Sequence, residues 1–246
     1  MSGHSLAIVG ATGAVGLKLL QVIDERVKEV KNLRLFASSR SAGQKLSFRD
    51  TEITVEDVAK SDFKGIDTAF FSAGTEASLE YCPKAVKDGA IVIDNTNAHR
   101  MNKDVPLIVP EANFHAIKNH HGLIANPNCS TIQMIVAIAP IHRVNPIKRI
   151  VVSTYQSVSG TGLEAIDILK KQSKAVLENT EIPQGVYPHT IGFNLIPQID
   201  VFLPESGLYR EEEKMVRETQ KILESDVKVC PTTVRVPVMY AHSESV

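Results

Sequence analysis

An open, doubly wound parallel α/β sheet followed by an α+β unit is the fold class this sequence predicts, and three features predict it. Short apolar runs alternate with helical stretches from residue 6 to residue 125. The first run, Leu6-Ala7-Ile8-Val9, passes directly into Gly10-Ala11-Thr12-Gly13-Ala14-Val15-Gly16 and then into a helix. After Cys129 the pattern changes to a long β-branched strand, amphipathic helices and a Pro-rich loop. Strands alternating with helices build parallel sheets from βαβ units, whereas the later pattern suits an α+β unit. The boundary between a first domain, 1–129, and a second, 130–246, is expected just after the cysteine.

The glycine segment defines the first unit. Strand, glycine turn and helix in that order are what a pyrophosphate site needs: glycines permit a tight turn and close backbone approach, and the helix N-terminus attracts the anion. The spacing is GxxGxxG rather than GxGxxG, a variant of the Rossmann-like turn, and Gly10, Thr12, Gly13, Ala14 and Val15 are its candidate cofactor contacts. The helix that follows is expected to pack through Val15, Leu19, Leu20 and Ile23. Residues 33–37 read as the second strand. At its end, where an acidic residue would hold a ribose 2′-hydroxyl, stand Ser38-Ser39-Arg40-Ser41. Hydroxyls and a guanidinium suit a 2′-phosphate, so NADP is expected over NAD.

A hairpin is expected from 45–48 and 52–56, then a buried strand over 67–72. Ser72-Ala73-Gly74-Thr75 lies at that strand's carboxyl end, where cofactors bind in open α/β sheets. A helix over 76–88 leads to a strand at 90–93 and the polar segment Asp94-Asn95-Thr96-Asn97-Ala98-His99-Arg100. Asn95 is a candidate for the nicotinamide or its ribose, and Arg100 for a phosphate. A short strand at 107–109 and a loop through 110–113 bring the chain to Leu123-Ile124-Ala125 and the segment Asn126-Pro127-Asn128-Cys129-Ser130-Thr131.

That segment sets one cysteine between a short strand and a long apolar helix, expected over 132–142. A thiol at a helix N-terminus faces unsatisfied N–H groups and the positive end of the dipole, both of which favour thiolate. Asn126 and Asn128 suit a helix cap or an oxyanion donor. A lone cysteine is usually a small buried group; this position argues instead for a nucleophile. Beyond it, a strand over 149–156 ends in Tyr155-Gln156-Ser157-Val158-Ser159-Gly160, followed by a helix over 162–178 and the Pro-rich loop 182–197. A helix over 211–223 and a strand over 228–238 come last, ending near Tyr240-Ala241-His242-Ser243.

Composition excludes several classes. Lys+Arg 27 against Asp+Glu 28 gives no electrostatic case for nucleic acid or an anionic membrane. No apolar run reaches membrane-spanning length. Three widely spaced cysteines without a CxxC pair argue against a disulfide framework or a metal centre and for a reducing, cytoplasmic setting.

Taken together, the glycine loop, the Asn-Pro-Asn-Cys-Ser-Thr segment, Tyr155-Gln156-Ser157-Val158-Ser159-Gly160, and Arg235-Val236-Pro237-Val238 with His242-Ser243-Glu244 resemble the aspartate-β-semialdehyde dehydrogenase family. The resemblance implies NADPH-dependent reductive dephosphorylation of L-aspartyl-4-phosphate to L-aspartate 4-semialdehyde, toward lysine, diaminopimelate, threonine and methionine. It implies Cys129 as the acyl-accepting nucleophile, His242 as general acid/base and Gln156 as the residue orienting the acyl-enzyme. It further implies Arg235 for the substrate carboxylate, Arg100 for phosphate, and Glu211 and Lys214 for the amino group and phosphate, with Gly160 near the cofactor. A homodimer or homotetramer is expected. Members of the family run on well past the histidine, where this chain stops at Val246, so the catalytic and dimerisation domain is expected to be partial.

The chemistry stands by itself: an acyl phosphate suits a soft nucleophile, and a thioester accepts hydride well. Arg235 and His242, seven residues apart, share a face only if the strand ends or bends between them, which Pro237 permits. N-acetyl-γ-glutamyl-phosphate reductase is the nearest alternative, but it typically carries Asn-Pro-Gly-Cys-Tyr. Glyceraldehyde-3-phosphate dehydrogenase lacks this cysteine context. A non-catalytic NADP-binding module would leave Cys129, Gln156, Arg235 and His242 together without a reason.

Overall fold

The computed structural model describes residues 3–246, which divide at Pro127 and Asn128 into two compact units. The first contains β1 (His4–Val9), α1 (Ala14–Arg26), β2 (Val30–Ala37), β3 (Lys45–Phe48), β4 (Thr51–Asp57), β5 (Thr68–Phe71), α2 (Thr75–Lys87), β6 (Ile91–Asp94), α3 (Pro110–Asn113) and β7 (Leu123–Ala125). Its strands form one sheet in the order β3-β4-β2-β1-β5-β6-β7. Only the β3–β4 hairpin is antiparallel. Alternation along β1 divides the core: Leu6 and Ile8 pack with Leu20, Ile23 and Leu35, while Ala7 and Val9 pack with Phe36, Phe63 and Phe71. A strand buried on both faces reads as a continuous apolar run, which is how β1 reads. The winding direction reverses at β1, with β2 on one side and β5 on the other, so a crevice opens beyond their carboxyl ends.

Three local expectations for this unit are corrected. Val15 is 44% exposed and is not part of the packed face of α1, which buries Gly16, Leu20 and Ile23. Residues 107–109 form no strand: Leu107 makes an isolated bridge to Ala125, and prolines at 106 and 110 cut the ladder short on both sides. Pro110 instead opens a helical turn over what was expected to be a loop, since proline is favoured at the first helical position.

The second unit contains α4 (Cys129–Val144), β8 (Arg149–Gln156), α5 (Leu163–Glu178), β9 (Phe202–Leu203), β10 (Leu208–Tyr209), α6 (Arg210–Leu223), β11 (Lys228–Arg235) and β12 (His242–Ser245). Its main sheet has β8 in the centre, parallel to β11 and antiparallel to β12. The helix expected over 132–142 begins at Cys129, because Asn128 caps it. The strand expected over 228–238 ends at Arg235, and β12 is an additional strand after a turn through Pro237. Along β8, Ile150, Val152, Thr154 and Gln156 face inward, the period-2 pattern of a strand with one covered face. The Pro-rich loop is tied to β11 by reciprocal backbone bonds between Ile196 and Arg235. Its Ile191 and Ile196 pack with Val158, Ala165, Ile166 and Leu169 at the inner face of α5. No helix among the described residues is long and apolar enough to cross a membrane.

Candidate active site

In the first unit the glycine loop forms the floor of the crevice. Gly10 has φ +89°, and a Cβ there would lie 2.5 Å from the Ser72 carbonyl oxygen, so the loops after β1 and β5 touch through glycine. A Cβ on Gly16 would collide with the Gly10 carbonyl oxygen and lie 2.7 Å from Ala11 Cα, which brings α1 hard against the loop. Gly13 is the N-cap of α1, with no side-chain cap and no acidic residue in the first turn. A helix N-terminus left open in this way suits a pyrophosphate. Exposed Val15 borders it, as do half-buried Thr12 and Ala14. Gly74, at φ +91°, is the N-cap of α2, which likewise has no side-chain cap. Ser38, Ser39 and Arg40 are exposed just beyond β2, where Ser38 O accepts from Ser41 N and Ala42 N in a tight turn. These residues fit a nicotinamide dinucleotide of the NAD(P) class.

Arg100 is 7% exposed and has structural work. Its Nε donates to Asn126 O at 2.9 Å and its Nη2 to Asn95 O at 2.9 Å. Asn126 Nδ2 also donates to Asn95 Oδ1 at 2.7 Å. One edge of the guanidinium thus clamps the loops after β6 and β7, and Asn126 serves that clamp rather than the helix cap. Asp94 shapes the same loop, accepting from Ser78 Oγ, Thr96 N and Thr96 Oγ1. Its carboxylate, the Cys82 thiol and a His99 ring nitrogen lie within 4.8 Å of one another, all buried. Burial and then the Asp94 charge push the Cys82 thiol far up. A thiol held protonated is a packing group, and Asp94 is the anchor of the polar segment.

The second unit assembles the remaining chemistry on α4, β8, β11, β12 and α6. Asn128 Oδ1 accepts from Ser130 N at 3.0 Å and Thr131 N at 3.3 Å, which caps α4 and puts Cys129 at its first position. Cys129 Sγ lies 3.1 Å from His242 Nε2. In the sheet, Gln156 is paired with Arg235 on one side and His242 on the other. Directly opposed residues share a sheet face, so these three side chains form one row.

His242 Nδ1 accepts from Ser157 N at 2.9 Å, with Ser157 Oγ at 3.3 Å. That bond leaves the proton of the neutral ring on Nε2, directed at the sulfur. Burial lowers the His242 pKa and the Arg235 charge adds to the effect; the Ala241 carbonyl and Glu211 oppose it without cancelling it.

Arg235, 6% exposed, donates Nη1 to Ser157 O at 2.6 Å, while its Nε is buried without a hydrogen-bond partner. A buried donor on a cation with no protein acceptor is suited to an anion. Gly160 stands beside it: a Cβ there would be 3.4 Å from Arg235 Nη1 and 3.9 Å from the His242 ring. Glu211 is buried rather than part of a solvated acidic helix start. Its Oε1 accepts from Asn128 Nδ2 at 2.8 Å and Gln156 Nε2 at 3.3 Å, and its Oε2 from Lys214 Nζ at 3.2 Å. Lys214 also donates to Asp200 at 2.8 Å. Burial alone would lower the Lys214 pKa; Glu211 and Asp200 outweigh it and hold the ammonium above its ordinary value.

Of the expected residues, the structure therefore brings together Cys129, Gln156, Gly160, Glu211, Lys214, Arg235 and His242 within the second unit. The glycine loop, Ser38, Ser39, Arg40, Ser72, Gly74, Asn95 and Arg100 belong to the first. Sequence reading missed Ser157, Asp200 and Glu218. Ser157 sits within the quoted Tyr-Gln-Ser segment, but its contact with His242 depends on a strand pairing 85 residues distant.

Comparisons with known proteins agree with this architecture. Residues 5–120 match the semialdehyde dehydrogenase NAD-binding domain and residues 138–246 the semialdehyde dehydrogenase dimerisation domain. The chain is 53% identical over 248 residues to an aspartate-semialdehyde dehydrogenase of Aquifex aeolicus, covering 99% of this chain and 73% of that one. It is 46% identical to that of Bacillus subtilis, covering 99% and 72%. A crystal structure of aspartate semialdehyde dehydrogenase II complexed with ASA from Vibrio cholerae superimposes with TM-score 0.96 at 45% identity, over 99% of this chain and 73% of that chain. The Candida albicans enzyme solved with NADP superimposes with TM-score 0.72 at 25% identity, over 99% and 70%. Fold, motif order and similarity along the chain converge: it belongs to the aspartate-semialdehyde dehydrogenase family.

Proposed function

We propose that this protein catalyses the NADPH-dependent reductive dephosphorylation of L-aspartyl-4-phosphate to L-aspartate 4-semialdehyde, with release of inorganic phosphate. The observation that carries the reading is the 3.1 Å approach of His242 Nε2 to a cysteine sulfur at a capped helix N-terminus.

Cys129 acts as thiolate, favoured by the N–H groups of α4. It attacks the acyl carbon; the new C–S bond forms as the C–O bond to phosphate breaks, and phosphate departs with the electron pair. The glycine loop would hold the pyrophosphate of NADPH and Ser38, Ser39 and Arg40 its 2′-phosphate, and the cofactor held there would supply hydride to the thioester. His242 steadies the thiolate through Nε2–H. A proton taken from solvent at Nδ1 makes the ring doubly protonated, with Ser157 Oγ in place of the Ser157 N–H as the partner of Nδ1–H; Nε2 then gives its proton to the thiohemiacetal oxygen, leaving the ring neutral. In the forward direction that proton returns as the C–S bond breaks, and the thiolate is regenerated with free aldehyde.

Gln156 orients the acyl group, and Arg235 takes the α-carboxylate, with Nε as its available donor. Glu211 faces the amino group. Lys214 and Arg100 supply positive charge for phosphate. The matched dimerisation domain supports assembly as a homodimer or homotetramer.

Phosphate-dependent NADP reduction with L-aspartate semialdehyde, with N-acetyl-glutamate semialdehyde in parallel, tests the reading. Activity with the first substrate alone is expected. Activity with the second alone assigns the chain to N-acetyl-γ-glutamyl-phosphate reduction, and NADP binding without either activity marks it as a binding module.

A further inference from the structure

Glu218 lies on α6 two turns beyond Glu211 and is 1% exposed. A carboxylate so deeply buried is costly unless its oxygens are satisfied. Its Oε2 accepts from the backbone N–H of Asn128 at 2.6 Å, across 90 residues of chain. Asn128 is the N-cap of α4, and the next residue is Cys129.

The bond replaces a missing local device. In a capping box, a Glu or Gln at the third helical position reaches back to the N–H of the cap residue. In α4 that position is Thr131, whose Oγ1 is buried without a partner, so the cap N–H has no local acceptor from it. Glu218 supplies the acceptor from another helix. Glu211, on the same face of α6, accepts the Asn128 side-chain amide at 2.8 Å. Asn128 is thus held from outside at backbone and side chain, while its Oδ1 caps Ser130 and Thr131.

We propose that Glu218 is a positioning residue for the nucleophile: by anchoring the Asn128 N–H it fixes the first turn of α4 and, with it, the direction of Cys129 Sγ toward His242. This rests on the reading of Cys129 as nucleophile, and its test does not require turnover.

Glu218→Gln keeps an acceptor oxygen; Glu218→Met keeps length and apolar bulk but accepts nothing. Both lack the charge, so their difference isolates the acceptor oxygen. Alkylation of Cys129 by iodoacetamide, read per cysteine by mass spectrometry on folded protein, is expected to be about tenfold slower in the Met than in the Gln variant, the scale of one such bond. The Asn128 amide should exchange slowly in wild type and the Gln variant and rapidly in the Met variant. If the Met variant does not fold, Glu218→Asp, which keeps the charge but withdraws the oxygen by one methylene, should show the same two losses. In turnover the loss should fall on kcat rather than on KM for the semialdehyde. Equal alkylation rates in the bond-competent and bond-deficient variants, or an Asn128 amide that stays protected without the acceptor, overturns the proposal. A wild-type protein inactive toward aspartate semialdehyde would overturn the functional reading instead and leave both of these measurements intact.

Discussion

His242 Nε2 lies 3.1 Å from Cys129 Sγ across 113 residues of chain, and the register of one small sheet puts it there. Gln156 at the end of β8 pairs with Arg235 at the end of β11 and with His242 at the start of β12. The turn through Pro237 reverses the chain, so residues seven apart in sequence become neighbours of the same central residue.

Replacing Cys129 with Ser should abolish turnover while leaving NADP affinity within about twofold, because the proposed mechanism assigns the thiol the covalent step. Turnover is followed by NADPH absorbance and affinity by fluorescence titration. Retained turnover would remove Cys129 from the mechanism.

His242→Ala should lower kcat by about 10²–10⁴, the usual worth of a positioned acid/base, and affect Cys129 alkylation far less. Because burial and Arg235 depress the His242 pKa, the ring stays neutral to lower pH than a free imidazole. The acid limb of kcat/KM governed by this group should therefore lie below about pH 6.5. A limb above that value would contradict the assignment.

Arg40→Ala should weaken NADPH by roughly tenfold or more through loss of a charge-assisted contact and leave NADH nearly unchanged. Isothermal titration with both cofactors decides it. Equal losses would show that Arg40 does not read the 2′-phosphate.

Gly16→Ala pushes a methyl against the Gly10 carbonyl and Ala11. The expected cost is about 1–3 kcal/mol of stability together with a marked loss of dinucleotide binding. Thermal denaturation and cofactor titration would register both, and a variant normal in both would mean the loop gives way freely.

Glu244 responds to pH in a defined direction. Burial raises its carboxyl to about 7, and Oε1 is enclosed without a partner. A folded pKa above the unfolded one means the protonated form is favoured by folding. That contribution is complete below the ordinary carboxylate value and is lost as pH rises through about 7. Glu244→Gln should thus raise Tm at pH 8 relative to wild type and have little effect at pH 4.5. Parallel curves at both pH values would refute the buried-acid account.

The sequence made legible what is local. The glycine loop, the cap-and-cysteine segment and the apolar strands each carry their reason within a few residues. Less visible was anything decided by strand register or by packing between distant elements. Nothing near Ser157 in sequence indicates that its N–H sets the tautomer of His242, and Glu218 resembles any polar position of an amphipathic helix until α6 is laid against α4. Val15 went astray for the opposite reason: an apolar residue in phase with the packed face is turned outward at the first turn of α1, beside the open N-terminus. β12 was hidden because its polar alternation, His242-Ser243-Glu244-Ser245, carries no apolar pattern.

The most direct test of the central claim is to incubate the protein with L-aspartyl-4-phosphate in the absence of NADPH, quench in acid and locate any covalent adduct by mass spectrometry. An aspartyl group on Cys129, with one equivalent of phosphate released and no adduct in the Cys129→Ser variant, is the predicted result. An unmodified Cys129, or an adduct carried by another residue, would contradict it.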